Sequence, residues 1–194
     1  MLNAIFQFFK LFKHLHVVDL VKLQRISTLH TFSKGQRIAS VDERYPYIIA
    51  IRSGIIRTYE VSSSGEERTT RLASEGDFSS CTASFLENKV STEYMEAVEE
   101  CKVILIDIRK FQKLTANYPR LMSLYSEGLA DAFLEAADRV RFFTLLTPEE
   151  RYIKMLEESP KLVQRVPQKY LASYIGVTTV SLSRIRKRVS EVKS

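Results

Sequence analysis

The residues of this chain best suited to chemistry lie close to its C-terminal end: Ser181, Ser183, Arg184, Lys187 and Arg188 fall on one side of a predicted helix that starts near Thr179. A planar guanidinium can give two parallel hydrogen bonds to a base edge or a phosphate, and an ammonium neutralises phosphate charge. The chemistry these residue types offer is recognition of a polyanion. Charge distribution points the same way. From Thr144 to Ser194 there are ten Lys/Arg against five Asp/Glu, whereas from Met1 to Phe143 there are nineteen against eighteen. Of the formal net charge of +6, most of the excess is therefore local, and a local basic patch attracts polyanions far better than a diffuse charge.

Such a face needs a rigid support, and the flanking residues spell one. Pro167 suits the first turn of a helix whose inward positions are Leu171, Ala172 and Ile175. Gly176 fits the left-handed conformation that ends a helix, Val177 plugs the turn, and Thr178 or Thr179 can cap the next helix. Leu182, Ile185 and Val189 then face the first helix. A small residue where two axes cross, a turn glycine and paired apolar positions form a helix-turn-helix, whose second helix fits the major groove of DNA.

Upstream, Thr147-Pro148-Glu149-Glu150 is a capping box that opens a helix ending near Ser159-Pro160. Before it, Tyr118-Pro119 opens a long helix reaching about Leu146. Met122, Tyr125, Leu129, Ala132, Ala136, Val140 and Phe143 repeat along it at spacings of three and four, a seam predicted to pair with a second copy. A short helix is predicted over Arg109 to Ala116. The N-terminal half reads differently. Leu29–Phe32, Arg37–Ser40, Tyr47–Arg52, Ile55–Val61, Arg68–Ser74, Thr92–Val98 and Lys102–Asp107 are short β-type runs, with Lys34-Gly35, Ser53-Gly54 and Ser62–Gly65 as turns. Short strands broken by glycine turns predict a β-barrel or β-roll. Leu2, Ile5, Phe6, Phe9 and Phe12 predict an amphipathic helix packed on the body of the protein. Lys10 and Lys13 interrupt that apolar run and no small-residue cleavage site follows, so neither a secretory signal nor a membrane span is expected.

Two cysteines, Cys81 and Cys101, are too few for a disulfide framework and lack metal spacing, which fits a reducing, cytoplasmic setting. A metal-dependent enzyme of the cupin type would need histidines on its strands. His14, His16 and His30 precede or open the strand region and none follows, so the chain is expected to hold no metal or cofactor and to be no enzyme. The cupin-like, metal-dependent or small-molecule-binding β-roll without DNA binding stays as the alternative reading.

Taken over almost its whole length, the chain resembles the Crp/Fnr family of bacterial transcription regulators. The resemblance rests on Phe32-x-Lys34-Gly35, Ile51-x-Ser53-Gly54-Ile-Ile-Arg57, Glu75-Gly76-Asp77-Phe78, the long helix and the helix-turn-helix. Pro167 to Gly176 and Leu182-Ser-Arg-Ile-Arg-Lys187 look like a subgroup common in Bacteroidetes. The resemblance implies an α+β fold: a cyclic nucleotide-binding-domain-like double-stranded β-roll over 1–117, a dimerisation helix over 118–146 and a helix-turn-helix domain over 147–194. It implies a sequence-specific DNA-binding regulator acting as a homodimer on double-stranded promoter or operator DNA, with RNA polymerase and an unknown small-molecule effector as partners and no membrane.

It further implies residue roles. Thr179, Val180, Ser183 and Arg184 are expected at bases, with Arg184 bidentate on guanine and Val180 near a thymine methyl. Gln168, Lys169, Thr178, Ser181, Arg186, Lys187 and Arg188 are expected at phosphates. Gly76, Asp77, Phe78, Cys81, Lys89, Ser91 and Thr92 would line the effector pocket. Where cyclic-nucleotide binders carry an arginine for the phosphate, this chain reads Ser91-Thr92-Glu93, with Lys89 as the nearby cation, so tight cyclic-AMP binding by that route is not expected. Four thiolates for an iron–sulfur cluster are also lacking.

Overall fold

The computed structural model describes residues 15–192, and the expected helix bearing Leu2, Ile5, Phe6, Phe9 and Phe12 lies outside them. Among the described residues, eight strands form two four-stranded antiparallel sheets. One runs in the order β1 (Ser27–Phe32), β8 (Cys101–Asp107), β3 (Tyr47–Ser53), β6 (Phe78–Ser79); the other runs β2 (Arg37–Ala39), β7 (Tyr94–Ala97), β4 (Ile56–Val61), β5 (Glu67–Ala73). Phe32, Ile49, Ile51, Val103 and Leu105 from the first sheet meet Ala39, Ile56, Ala73, Met95 and Ala97 from the second in one buried cluster, the core of a β-roll. At Gly54 (φ +101°) an added Cβ would sit 2.6 Å from the Cys101 Sγ and the Glu100 carbonyl, so only glycine lets the β3–β4 hairpin close against β8.

The described helices are α1 (Val17–Arg25), α2 (Thr82–Leu86), α3 (Ile108–Asn117), α4 (Pro119–Leu145), α5 (Pro148–Glu158), α6 (Pro160–Arg165), α7 (Gln168–Ile175) and α8 (Thr179–Val192). The Thr147 box forms as the sequence suggests: Glu150 N–H donates to Thr147 Oγ1 at 3.3 Å and Thr147 N–H to Glu150 Oε2 at 2.7 Å. Short β6, α2 and α6 were not foreseen, because a two-residue strand and helices of five or six residues carry no readable period.

The helical core extends beyond the reader. Phe142, Tyr152, Met155, Leu171, Ala172, Ile175, Leu182, Ile185 and Val189 cluster with Ile55 and Val98 of the roll. Packing therefore continues across residues 146 and 147. Along α4, Val140 is 62% exposed and Phe133, absent from the expected seam, 74% exposed; Met122, Ala132 and Ala136 are also exposed and Leu129 is half-buried. Tyr125 instead packs edge-on to Phe85 and Phe111 of its own chain, and Phe143 lies under the guanidinium groups of Arg139 and Arg151. Those two seam residues have partners within the protomer, though Phe143 stays 41% exposed, and Phe133 and Leu134 widen the apolar face that the other seam residues leave open on α4.

Candidate nucleic-acid interface

The support comes first. Gly176 ends α7 in the left-handed region (φ 75°, ψ 39°), and Val177 N–H reaches back to the Ala172 carbonyl at 2.9 Å. A Cβ at Gly176 would lie 2.8 Å from the Phe143 ring, so the turn demands glycine on two counts. Thr178 caps α8, its Oγ1 accepting from Ser181 N–H at 3.1 Å, and Gln168 Nε2 donates to the Thr179 carbonyl at 3.1 Å. Leu171, Ala172 and Ile175 of α7 and Leu182, Ile185 and Val189 of α8 are buried together.

This leaves Thr179, Val180, Ser183, Arg184 and Lys187 exposed on one face of α8, with Val180 60% exposed. Among the described residues Arg184 has no hydrogen-bond or ion-pair partner, so its whole guanidinium fork is available. Lys187 is only loosely held, 3.9 Å from Glu191, and Lys169 at the start of α7 is exposed.

The other residues expected at phosphates stand differently. Arg186 is half-buried: its Nε has no partner among the described residues and its guanidinium lies 5.8 Å from the Tyr152 ring. Arg188 is exposed but doubly bonded to Glu149 Oε2, at 2.8 and 2.6 Å, which ties α8 to the start of α5. The hydroxyls of Thr178 and Ser181 pair with each other at 3.0 Å, and Gln168 is spent on the Thr179 carbonyl. Sequence periodicity separates outward from inward positions; it does not register that Glu149, a cap-region acid, lies beside Arg188.

At the expected effector element the groups are mostly self-satisfied. Asp77 accepts from Ser74 N–H at 2.7 Å within its own turn, and burial outweighs that bond to raise its carboxyl above the usual range. Cys81 is fully buried, and burial pushes its thiol up to about 11, the wrong direction for a reactive thiolate. Ser91 Oγ donates to the Glu93 carbonyl at 2.7 Å, while the Glu93 carboxylate accepts from Thr82 N–H at 2.9 Å. Lys89 pairs with Glu87, Thr92 is exposed, Phe78 is half-buried and Gly76 turns the chain at φ 90°. Two side chains not foreseen belong here. The Tyr45 hydroxyl is buried with no partner among the described residues, and Arg71 joins the Phe78 carbonyl (2.6 Å) to Glu135 of α4 (2.7 and 2.9 Å). Both depend on contacts distant in sequence. No group of three or more metal-ligating side chains occurs among the described residues, and no helix among them is long and apolar enough to cross a membrane.

Comparison with known proteins matches this arrangement. Residues 29–118 match the cyclic nucleotide-binding domain family. The chain is 23% identical over 166 residues to the fumarate and nitrate reduction regulatory protein of Yersinia pestis, spanning 80% of this chain and 66% of that protein. Among solved structures, FixK2 from Bradyrhizobium japonicum superposes with a TM-score of 0.76 at 18% identity, covering 87% of this chain and 86% of that one. A transcriptional regulator of the Crp/Fnr family from Eubacterium rectale superposes with a TM-score of 0.71 at 16% identity, covering 96% and 88%. With the roll, long helix and helix-turn-helix arranged as in these structures, the chain is similar over almost its whole length to regulators of the Crp/Fnr family.

Proposed function

We propose that the protein is a sequence-specific, DNA-binding regulator that acts as a homodimer in the cytoplasm and is no enzyme. The single observation carrying the reading is the outward face of α8, where Arg184, unpaired among the described residues, stands beside Val180, Ser183 and Lys187 on a helix held by a capped turn. Arg184 suits the O6 and N7 acceptors of guanine, and Val180 a thymine methyl. Lys187 and Lys169 suit phosphates, which set register without reading sequence. Arg188 would join them only by leaving Glu149.

Pairing of two protomers through the open face of α4 would bring two α8 helices to successive major grooves, with half-sites about 34–36 Å apart. At a promoter such a dimer would stand beside RNA polymerase. A small-molecule effector would act at the 76–93 element, where Lys89 is already paired to Glu87 and Glu93 adds a second acidic group to the segment, which disfavours an anionic phosphate there. Selection from a randomised DNA pool tests the reading. A two-fold symmetric consensus supports it, and enrichment of no sequence above the starting pool refutes it.

A further inference from the structure

The first helix of the reader is held by the roll, and the manner of holding is unusual for a core. Strand β5 lies at the edge of its sheet, where backbone donors and acceptors would face water. Ser173 of α7 closes that edge with one hydroxyl: it accepts from Thr69 N–H at 2.9 Å and donates to the Glu67 carbonyl at 3.0 Å. Arg139 of α4 adds the Tyr174 carbonyl at 2.7 Å and the Thr69 carbonyl at 3.4 Å, so α4, α7 and β5 meet at one guanidinium.

Beside this edge, Tyr170 of α7 lies over a buried ion cluster. Arg57, 1% exposed, donates to Thr69 Oγ1 at 2.9 Å, Glu67 at 2.8 Å and Glu96 at 3.0 Å. Its guanidinium is sandwiched, 4.1 Å from the Tyr59 ring and 4.0 Å from the Tyr170 ring. Arg165, just before α7, bridges Glu75 and Glu99 of the roll. Glu75 also accepts from Gly54 N–H at 2.9 Å and directly precedes the Gly76-Asp77 turn of the effector element.

We propose that α7 is a releasable docking helix: the Tyr170, Ser173 and Arg165 contacts with β5, Arg57 and Glu75 form a latch through which the roll sets the placement of the reader. Ile55 and Val98 of the roll also join the helical core, but at β5 the contact is built of a shared hydroxyl, a cation–π sandwich and carboxylate bridges, whose partners can each exchange for water on opening, as in reversible interdomain contacts. The docked state leaves the outward face of α8 exposed, so docking orients the reader without covering it. Movement of Glu75 or β5 would act on the latch directly, because the same residues hold both. Tyr170 and Arg165 are thus positioning residues for the DNA reading proposed above, on which the functional half of this inference rests.

Amide exchange on the full-length protein, followed by DNA selection from pools with variable half-site separation, tests it. In the wild type the Thr69 amide should be strongly protected and one separation preferred. Combining Arg165→Ala with Tyr170→Ala should speed Thr69 exchange by about tenfold or more, within the range usual for coupled sites, while the Leu182 and Ile185 amides stay protected. Half-site sequence should persist and the separation preference broaden. Tyr170→Phe, which keeps the ring over Arg57, should fall between. Unchanged Thr69 exchange and separation preference in the double variant would overturn the latch. So would joint loss of protection in α7 and α8, since docking would then be inseparable from reader folding. A wild type that selects no DNA, with the exchange result intact, would refute the reading function and leave the latch standing.

Discussion

Two sets of arginines in the C-terminal half share a residue type and almost nothing else. Arg139, Arg151 and Arg165 are spent on the protein: on the Tyr174 carbonyl, on the Ile175 carbonyl and on Glu75 with Glu99. Arg184, one turn into α8, is exposed and unpaired among the described residues. Arg151, Arg165 and Arg184 count equally toward the basic excess that first suggests a polyanion partner, yet of these only Arg184 is free to act on one. Net charge locates a candidate region; hydrogen-bond satisfaction separates contact residues from struts.

The comparison breaks most severely if the support fails. Leu182 is fully buried between α7 and α8, and Leu182→Ala should cost about 2–5 kcal/mol of stability through lost burial and a cavity. Calorimetry should show the loss, and affinity for every DNA should fall with it. A variant that kept full stability would mean α7 and α8 are not held by this core.

A substitution on the outward face should do the opposite, sparing stability and costing recognition. Arg184→Ala should weaken binding by about 1–3 kcal/mol and relax selectivity at one base pair. Equal losses on all sequences would reassign Arg184 to the backbone. Arg165→Ala, from the inner set, should leave the base preference of each half-site untouched.

How much of this was legible in the sequence follows from the range of the interactions. The reader was legible because Ala172, Gly176, Thr178 and Leu182 act over one or two helical turns, and the roll because its strands alternate between glycine turns. The seam on α4 was legible as a period, but the use its own protomer makes of that helix was not. Tyr125 and Phe143 fit the repeat as well as Phe133 does, and only contacts with Phe85, Phe111, Arg139 and Arg151 show which face the protomer uses. The resemblance implies phosphate contacts for Arg186 and Arg188, but the contacts they make within the protein, with Tyr152 and Glu149 more than thirty positions away, could not be read from it. The α7–β5 dock joins residues 104 and 106 positions apart, which no local pattern encodes.

Acid should sharpen the comparison from the inner side. Burial opposes ionisation of Glu75, but hydrogen bonds from Arg165 and Gly54 prevail and hold its carboxyl down to about 2 from an ordinary 4.5. A depressed folded-state value contributes stability that is present above pH 4.5 and lost as pH falls toward 2. Protection of the Thr69 amide should therefore hold from neutral pH to about 4.5 and weaken below it. Glu75→Gln should flatten that acid limb, and an acid limb identical to wild type would exclude Glu75 as its source.

The smallest effects distinguish two neighbouring cations on α8. Each cation placed on a phosphate releases condensed counterions, so the slope of log affinity against log salt counts such contacts. Lys187, 80% exposed and 3.9 Å from Glu191, has little to give up on meeting a phosphate, and Lys187→Ala should lower the slope by about 1. Arg188 holds Glu149 through two hydrogen bonds, and moving to a phosphate would leave that carboxylate unpaired beside the DNA. Arg188→Ala should therefore change the slope by clearly less than Lys187→Ala, while loosening α8 from α5 by about 0.2–1 kcal/mol, as exposed ion pairs do. Equal slopes lost in both variants would place Arg188 with the outward set and show that the Glu149 bridge opens when DNA arrives.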